Sequence, residues 1–357
     1  MSSTADSMPP PPRRDPAPER AAEARPGAER AGLTEPFEIG GVRIPNRVLL
    51  APLAGIGNWF VRLQARRHGA GMAVSEMVSS FGLHHRNERT MRELMRIHPD
   101  EHPVSVQLFG QDPEVMGSAA AIAAGAGADL IDINMGCPVR KVCRTGSGAA
   151  LLRDPDRAAA LVRAAAEGGG VPVTVKLRSG LREGDRAGFE LAVRLAGEGA
   201  AAIAFHPRSA ASGHGGRPDH GLVRELVGAV EVPVIVSGGL ADADAARRAY
   251  EASGADAVMI ARGSLGNPWV FEELTGRRAA PPRREEIAAE LLWVIDRAEE
   301  HLGAERASRY LRKFYPWYLV RLGAPAALAE ELQRSAGLGR ARELVATLAP
   351  APAAVAA

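Results

Sequence analysis

The chain has 357 residues, 46% of them hydrophobic, and its 44 basic and 42 acidic residues give a net charge of +2. This length suits a large domain with a smaller one appended, and so small a net charge does not by itself indicate a nucleic-acid partner. The sequence has no run of eighteen or more apolar residues, which excludes a transmembrane helix. The two cysteines, Cys137 and Cys143, have no clustered histidines around them, so we expect a metal-free protein of the reducing cytoplasm.

Residues 1–32 are rich in Pro, Ala, Arg and Glu and lack the apolar segment of a signal peptide, so they predict a disordered tail. From Arg47 onward, short apolar segments alternate with helical stretches rich in Ala, Leu, Glu and Arg. Eight such units favour a closed (β/α)8 TIM barrel of the α/β class over an open doubly wound sheet. The eight candidate strands are Val48–Ala54, Met72–Met77, Pro103–Leu108, Leu130–Asn134, Val171–Leu177, Ala201–His206, Val232–Ser237 and Ala257–Ala261.

The predicted barrel covers residues 33–275, and the chain after it changes character. Thr275 to Arg284 contains the Gly, Pro and Arg residues of a linker. Glu285 to Ala346 carries apolar residues at three- and four-residue spacing, which predicts a small helical bundle and a helical domain over residues 276–347. Residues 348–357 predict a second disordered tail.

The segment that follows the fourth strand is the most informative of the chain. Apolar residues alternate with acids up to Asn134, as in a strand of a barrel wall, and Met-Gly-Cys-Pro then ends the strand. Gly136 permits a tight backbone and Pro138 fixes φ, so Cys137 is held just past the carboxyl end of the strand. α/β barrels place their chemistry at this end. From the residues alone, the thiol could be a nucleophile, a metal ligand or a proton donor.

The carboxyl ends of the other strands suggest a flavin site. The small residues of Ala51–Leu53 would let a flat ring approach the backbone, and glycines after the seventh and eighth strands, with Arg262, would hold a phosphate. Gln107 would pair with the pyrimidine edge, and Lys176 would stabilise the negative charge of a reduced ring, although it could also be a Schiff-base lysine. Together these features favour flavin mononucleotide (FMN). The predicted cofactor residues are Ala51, Pro52, Leu53, Gln107, Lys176, His206, Ser237, Gly238, Gly239, Ala261, Arg262 and Gly263.

These segments resemble the tRNA-dihydrouridine synthase family in identity and order. Members of that family are FMN enzymes that use a reduced nicotinamide nucleotide to saturate the C5–C6 bond of selected uridines in tRNA. The resemblance is carried by Ala51–Gly55, Val106–Gly110, Asn134–Pro138, Val175–Arg178, His206–Arg208 and Arg262–Gly263, and it continues into the helical part at Leu311–Tyr318.

The resemblance implies a role for the residues that match the family. Cys137 matches its general acid, Asn134 looks like the residue that holds the uracil edge, and His206 matches a position near the flavin. NADPH or NADH would be the reductant, tRNA the partner, and the helical domain of residues 276–347 would be a tRNA-binding domain that helps to hold the tRNA. The predicted substrate-binding residues are Asn134, Arg140, Lys141, Arg178 and Arg208.

One departure and two alternatives accompany this interpretation. Ser237-Gly238-Gly239 stands where the family commonly has Asn-Gly-Asp, so a side-chain contact to the phosphate is in doubt. A flavin barrel acting on a free pyrimidine or another small molecule is one alternative, and the helical run Leu311–Tyr318 argues against it. A non-catalytic RNA-binding module is the other, and Cys137 and Lys176 argue against it because binding alone requires neither. We expect a monomer. Tyr315, Trp317 and Tyr318 fit either the core of the bundle or a platform for a base.

Overall fold

A computed structural model describes residues 31–349 and shows a closed barrel of eight parallel strands. Neighbouring strands pair around the ring, and the first strand pairs with the last, which closes it. The barrel strands are β3 (Val48–Leu50), β4 (Met72–Val74), β6 (Val104–Phe109), β7 (Leu130–Met135), β8 (Val173–Arg178), β9 (Ala202–His206), β10 (Val234–Ser237) and β11 (Ala257–Ile260). A short additional strand, β5 (Val78–Ser79), pairs with β6 beyond the end of β4. The predicted TIM barrel is confirmed.

All eight predicted strands are present, but the first two end three or four residues earlier than expected, and the last ends one residue earlier, at Ile260. β3 ends at Leu50 rather than Ala54, because Pro52 has no N–H to continue the ladder. β4 ends at Val74 rather than Met77. The residues released from these strands form loops at the carboxyl end of the barrel.

The sequence reading missed an antiparallel hairpin that precedes the barrel. Its strands, β1 (Phe37–Ile39) and β2 (Val42–Ile44), are joined by Gly40 and Gly41. The φ values of these glycines, 57° and 85°, suit a two-residue hairpin turn. Gly40 lies against Pro172, which directly precedes β8, and the apolar side chains of the hairpin pack with those of the barrel interior. The hairpin therefore covers the amino-terminal end of the barrel.

Helices surround the barrel. Four of them (α3, α5, α7 and α8 below) begin at an aspartate whose carboxylate accepts a hydrogen bond from a first-turn N–H. The helices are α1 (Trp59–Arg67), α2 (Ser80–His84), α3 (Pro113–Gly125), α4 (Arg140–Cys143), α5 (Pro155–Gly169), α6 (Ala187–Gly197), α7 (His220–Ala229), α8 (Ala243–Ser253) and α9 (Trp269–Leu274). A π-helical turn covers Thr90–Leu94, and 3-10 turns cover Pro99–Glu101, Gly148–Arg153 and Arg262–Ser264.

The chain ends in a group of helices, as the periodicity predicts. They are α10 (Arg284–Leu302), α11 (Ala304–Leu311), α12 (Tyr315–Leu322), α13 (Ala326–Arg334) and α14 (Leu338–Ala346). Tyr315 and Tyr318 are each 1% exposed, so these two belong to the core and do not form a platform for a base. The division into residues 33–275 and 276–347 stays a prediction.

Helix α1 joins the barrel to these helices. The ring of Phe60 lies 6.3 Å from those of Tyr310 and Phe314. Gln64 Nε2 donates to Glu290 Oε1 at 2.8 Å and to the Tyr318 hydroxyl at 2.9 Å. A single apolar cluster therefore runs from the barrel wall into the helical part.

Within residues 31–349, no helix combines the length and the apolar character needed to cross a membrane. The predicted tails, residues 1–32 and 348–357, lie outside the described residues except at 31–32 and 348–349.

Candidate active site

A cavity of about 720 Å³ opens at the carboxyl ends of the barrel strands, a size suited to a cofactor. The predicted acid, Cys137, forms part of its wall, as do three of the five predicted substrate residues, namely Asn134, Arg178 and Arg208. Arg140 and Lys141 lie outside the lining, on the exposed helix α4. The predicted cofactor residues all line the cavity: Ala51, Pro52, Leu53, Gln107, Lys176, His206, Ser237, Gly238, Gly239, Ala261, Arg262 and Gly263.

A chain of hydrogen bonds crosses the floor of the cavity. Asp132 accepts from the Thr174 hydroxyl at 2.6 Å and from Gln107 Nε2 at 2.7 Å. Gln107 Oε1 in turn accepts from Asn134 Nδ2 at 2.9 Å. Because a carboxylate only accepts, the network fixes which way both amides point. Asp132 was read as part of the strand alternation and not as a site residue; an acid in the middle of a buried strand is the signal that could have found it.

The backbone after Asn134 is held from two sides. Asn134 Oδ1 accepts from the backbone N–H of Gly136 at 3.2 Å and of Cys137 at 2.9 Å, which is an Asx turn. Arg178 Nε donates to the Gly136 carbonyl at 2.9 Å. These hydrogen bonds to the backbone of Gly136 and Cys137 fix the position of Cys137 in the loop.

Arg178 is almost fully buried and is used by the protein itself. Besides Gly136, its guanidinium donates to the carbonyls of Ser209 at 3.0 Å and Gly213 at 2.7 Å. These bonds tie the loop after β9 to the Cys137 loop. Its predicted contact with substrate stays a prediction, and the structure shows an anchor of two loops.

The thiol of Cys137 is half-buried. Burial is the largest influence on its pKa and raises it, while the nearby Arg178 charge lowers it in part. Cys143 Sγ donates to the Cys137 carbonyl at 3.3 Å, and the backbone N–H of Val139 donates to the Cys137 thiol. In the described part of the chain, no group of His, Cys, Asp or Glu is arranged to hold a metal ion. A thiol that stays protonated at neutral pH suits a proton donor better than a nucleophile.

Lys176 lies opposite this network, in the cavity wall. Its ammonium donates to the Ser237 hydroxyl at 3.1 Å, and that hydroxyl donates to the Phe205 carbonyl at 3.3 Å. Burial lowers the pKa of Lys176 and raises the pKa of Asp132, and the attraction between the two groups opposes both shifts. An ammonium has three N–H donors, so Lys176 retains donors for a ligand in the cavity.

Glycines form the part of the cavity that follows β10 and β11. Gly238 and Gly239 have φ values of 93° and 80°, which L side chains rarely adopt. A Cβ on Gly238 would lie 2.1 Å from the His206 ring, and one on Gly263 would lie 2.5 Å from the Leu240 carbonyl oxygen. Only glycine fits these positions, and their bare backbone lines the cavity.

Two arginines stand beside these glycines. Arg208 Nη2 donates to the Gly216 carbonyl at 2.8 Å, and Nη1 lies 3.3 Å from His206 Nε2. Burial and the charge of Arg262 lower the pKa of Arg208, and neither arginine has a carboxylate partner among the described residues. Such a pair of unpaired cations is typical of an anion site. Arg208 therefore lies beside Gly239, one of the predicted cofactor residues, and its predicted contact with substrate stays a prediction.

His206 is neutral in this setting. Burial, with the charges of Lys176, Arg178 and Arg208, lowers its pKa to about 2. Because arginine only donates, His206 Nε2 is the acceptor and Nδ1 carries the proton. His214 was missed; its ring lies 6.2 Å from that of His206 and lines the cavity. It comes from a loop without periodicity, where the sequence gives no signal.

The fold and the cavity define an α/β-barrel protein with a ligand-sized cavity at the carboxyl ends of its strands. Morphinone reductase, solved in complex with tetrahydroNAD, superimposes with a TM-score of 0.52 at 18% identity, over 72% of this chain and 94% of that one. At that identity the likeness shows the barrel fold alone.

Sequence comparison then gives the family. The model of the dihydrouridine synthase family matches residues 49–352. A "Probable tRNA-dihydrouridine synthase 1" of Synechocystis sp. is 37% identical over 311 residues, which cover 84% of this chain and 85% of the relative. A "tRNA-dihydrouridine synthase B" of Pseudomonas aeruginosa is 40% identical over 292 residues, which cover 80% and 87%. The chain belongs to the dihydrouridine synthase family.

Proposed function

We propose that this protein is a tRNA-dihydrouridine synthase that reduces the C5–C6 bond of specific uridines in tRNA, with FMN as cofactor and NADPH or NADH as reductant. The family and the names of its relatives support this proposal. The single observation that carries it is the half-buried thiol of Cys137, held by the Asn134 turn at the edge of the cavity.

The residues of the cavity fit FMN at both ends. At one end, Arg208 and Arg262 without acidic partners, together with the bare backbone of Gly238, Gly239 and Gly263, would hold the phosphate. At the other end, Gln107 and Lys176 offer donors to the pyrimidine edge of a flavin. The small residues Ala51 and Ala261 leave room for a flat ring between these ends.

When bound, FMN would supply the hydride that reaches C6 of the uracil. Cys137 would give its Sγ proton to C5, so the thiol becomes a thiolate, which takes a proton from solvent before the next turnover. Burial keeps the thiol protonated beforehand, because it raises the pKa of Cys137.

Asn134 would hold the base. Its Oδ1 is occupied by two backbone N–H groups, and one hydrogen of Nδ2 goes to Gln107. The other hydrogen is directed towards the weak acceptor Met77 Sδ, 3.9 Å away in the cavity wall, and would serve a uracil carbonyl oxygen better.

The surroundings of the cavity complete the proposal. Arg140 and Lys141 would contact tRNA phosphates from the exposed helix α4, and residues 276–347 would form a tRNA-holding domain. Arg178 would act on the substrate through the two loops that it holds together. We further propose a cytoplasmic monomer whose reaction needs no metal ion.

Mass spectrometry of tRNA from a strain that lacks this protein tests the proposal directly. We expect dihydrouridine to disappear from at least one tRNA position and to return when purified protein, FMN and NADPH are added. Unchanged dihydrouridine at every position would overturn the proposal. Reduction of free uridine or uracil without reduction of tRNA would instead support a small-molecule reductase.

Substitution of the two cysteines tests the role of the thiol. Cys137→Ala should retain the flavin absorbance and lose tRNA reduction by a factor of about 10² to 10⁴. Cys143→Ala is the matched control and should keep both, because Cys143 only donates to a backbone carbonyl. Full activity of Cys137→Ala would contradict the general-acid role.

A further inference from the structure

Phe81 is exposed in a molecule that otherwise covers its aromatic rings. The eight phenylalanines, four tryptophans and four tyrosines of the chain all lie within the described residues, and Phe81, at 64%, is the only one among them with a largely exposed side chain. Its ring contacts that of His85 at 4.2 Å, edge to face, which leaves its outer surface free. A single exposed apolar residue is common, so the position of the ring must decide whether it matters.

Phe81 lies at the mouth of the cavity. Ser79 of β5 pairs with Phe109 of β6, and the register of β6 with β7 puts Phe109 opposite Asn134. With neighbouring strands about 4.8 Å apart, Ser79 lies about 10 Å from Asn134, and Phe81 follows two residues later. Met77, four residues before Phe81, lines the cavity itself.

The loops between Phe81 and the Cys137 loop are in contact. A Cβ on Gly110 would lie 2.0 Å from Ser80 Oγ, and a Cβ on Gly146, which follows α4, would lie 2.4 Å from Gln111 Oε1. The mouth is therefore a continuous edge from Phe81 to α4.

Cations without partners accompany the ring along this edge. Most arginines on the outer helices are paired with Glu or Asp. In contrast, four exposed residues of the mouth have no carboxylate partner anywhere in residues 31–349; we call Arg86, Arg140, Lys141 and Arg144 the mouth cations. Arg86 follows helix α2, which contains Phe81, and its N–H donates to the Leu83 carbonyl of that helix.

We propose that Phe81 stacks on a base of the tRNA next to the uridine that is reduced, while the mouth cations hold the adjoining phosphates. The inference rests on the proposed function. A uridine that enters the cavity must leave its stack, so its neighbours lose a stacking surface. An aromatic ring among cations replaces that surface, because each base has a π-face and each nucleotide a phosphate.

Three variants of Phe81 test the proposal with NADPH in excess. Phe81→Ala and Phe81→Leu should raise the KM for tRNA and the Kd for tRNA about tenfold, while kcat at saturating tRNA changes little. Phe81→Tyr should restore wild-type values, because it keeps the ring. Phe189→Leu, which removes a half-buried ring from α6, outside the cavity lining, is the matched control and should leave the KM and the Kd for tRNA unchanged.

A second measurement identifies the base. In tRNAs with an abasic nucleotide on either side of the target uridine, one of the two substitutions should weaken binding to wild-type protein about as much as Phe81→Ala does. Phe81→Ala should then have no further effect on that tRNA. The double-mutant cycle reports stacking, which a merely structural effect of the substitution would not reproduce.

Several outcomes would overturn the inference. A Kd for tRNA of Phe81→Ala within twofold of wild type would show that no base stacks on the ring, and so would a Phe81→Leu variant equal to wild type. In either case the exposed ring would be assigned to contact with a protein partner. Additive effects in the cycle would also contradict it. If wild-type protein binds tRNA but does not reduce it, the proposed function fails, and the Kd values still decide the role of Phe81. If wild-type protein does not bind tRNA, both fail.

Discussion

Two buried charge clusters in this molecule contain the same kinds of group and are completed in different ways. In the first, Arg62 of α1 donates to Glu101 at 2.6 Å and to the backbone carbonyls of Gly57 and Arg96 at 3.2 and 2.7 Å. Glu101 also accepts from the His98 N–H at 2.7 Å. The two side chains are 1% and 0% exposed, so every partner of this pair belongs to the protein.

The second cluster, around Lys176, is left incomplete. Lys176 gives one of its donors to Ser237, and Asp132 reaches it through space without a direct ion pair. The remaining donors lie in a cavity wall. The Arg62 pair, whose partners all belong to the protein, therefore has a structural role, whereas Lys176 retains donors that are available to a ligand.

Removal of the complete pair should have the largest effect, and on stability. Arg62→Met should lower the free energy of unfolding by about 3–5 kcal/mol, because it leaves the Glu101 carboxylate and two carbonyls without a partner. Burial raises the pKa of Glu101, so the carboxyl takes up a proton as pH falls, and the deficit should be smaller at pH 5 than at pH 8. Urea unfolding at both pH values measures it.

The control for Arg62→Met is Arg309→Met. Arg309 pairs with Glu305 on the surface, with side chains 61% and 83% exposed. Its loss should change the free energy of unfolding by no more than about 1 kcal/mol. Equal effects of the two substitutions would remove the distinction between buried and exposed pairs in this protein.

Removal of the incomplete charge should affect activity and spare stability. Lys176→Met should reduce tRNA reduction by about 10² to 10³-fold, as expected when a donor to a developing negative charge is lost. The free energy of unfolding of the apoprotein should not fall, because burial lowers the pKa of Lys176 and its charged form is held at a cost at neutral pH. A variant that is as destabilised as Arg62→Met would contradict this view.

Loss of the single partner of Lys176 should have a smaller effect. Ser237→Ala removes one hydrogen bond, worth about 1 kcal/mol, and should weaken FMN binding about fivefold, as measured by fluorescence titration of the apoprotein. Ser237→Thr retains the hydroxyl and serves as control. If alanine and threonine variants bind FMN alike, the hydroxyl does not position Lys176.

The smallest change concerns the reactivity of the thiol. Because burial raises the pKa of Cys137 and only the thiolate is alkylated, iodoacetamide should modify Cys137 more slowly than free cysteine at pH 8. The rate should still be rising at a pH where that of free cysteine has levelled off. Peptide mass spectrometry separates Cys137 from Cys143. Faster alkylation than free cysteine would mean a stabilised thiolate and would argue against a proton donor.

The sequence predicts the barrel and most of the cavity lining because both depend on short segments of the chain. Short apolar runs indicate the eight strands, and residues near or just after their carboxyl ends, such as Lys176 and Gly238, must meet in a closed barrel. The sequence does not predict which group a side chain contacts when that group is distant in the chain. Asp132 looks like one more acid of an alternating strand, and that Arg178 donates to three carbonyls follows only from where two loops come together.

The hairpin and His214 were not predicted from the sequence, for a different reason. Strands of three residues are too short for periodicity, and His214 sits among glycines and serines that have none. Arg140 and Lys141 are exposed on α4 and do not line the cavity, which their closeness to Cys137 in sequence does not reveal.

The contacts of α1 have a thermodynamic consequence. Phe60 and Gln64 are buried by residues that come more than two hundred positions later in the chain. A barrel separated from α10–α14 would expose an apolar face and leave the Gln64 amide without its partners, so neither part is a unit of unfolding by itself. Heat or denaturant should therefore unfold the whole protein in one cooperative step. A substitution that destabilises α10–α14 should then reduce the folded fraction of the barrel as well.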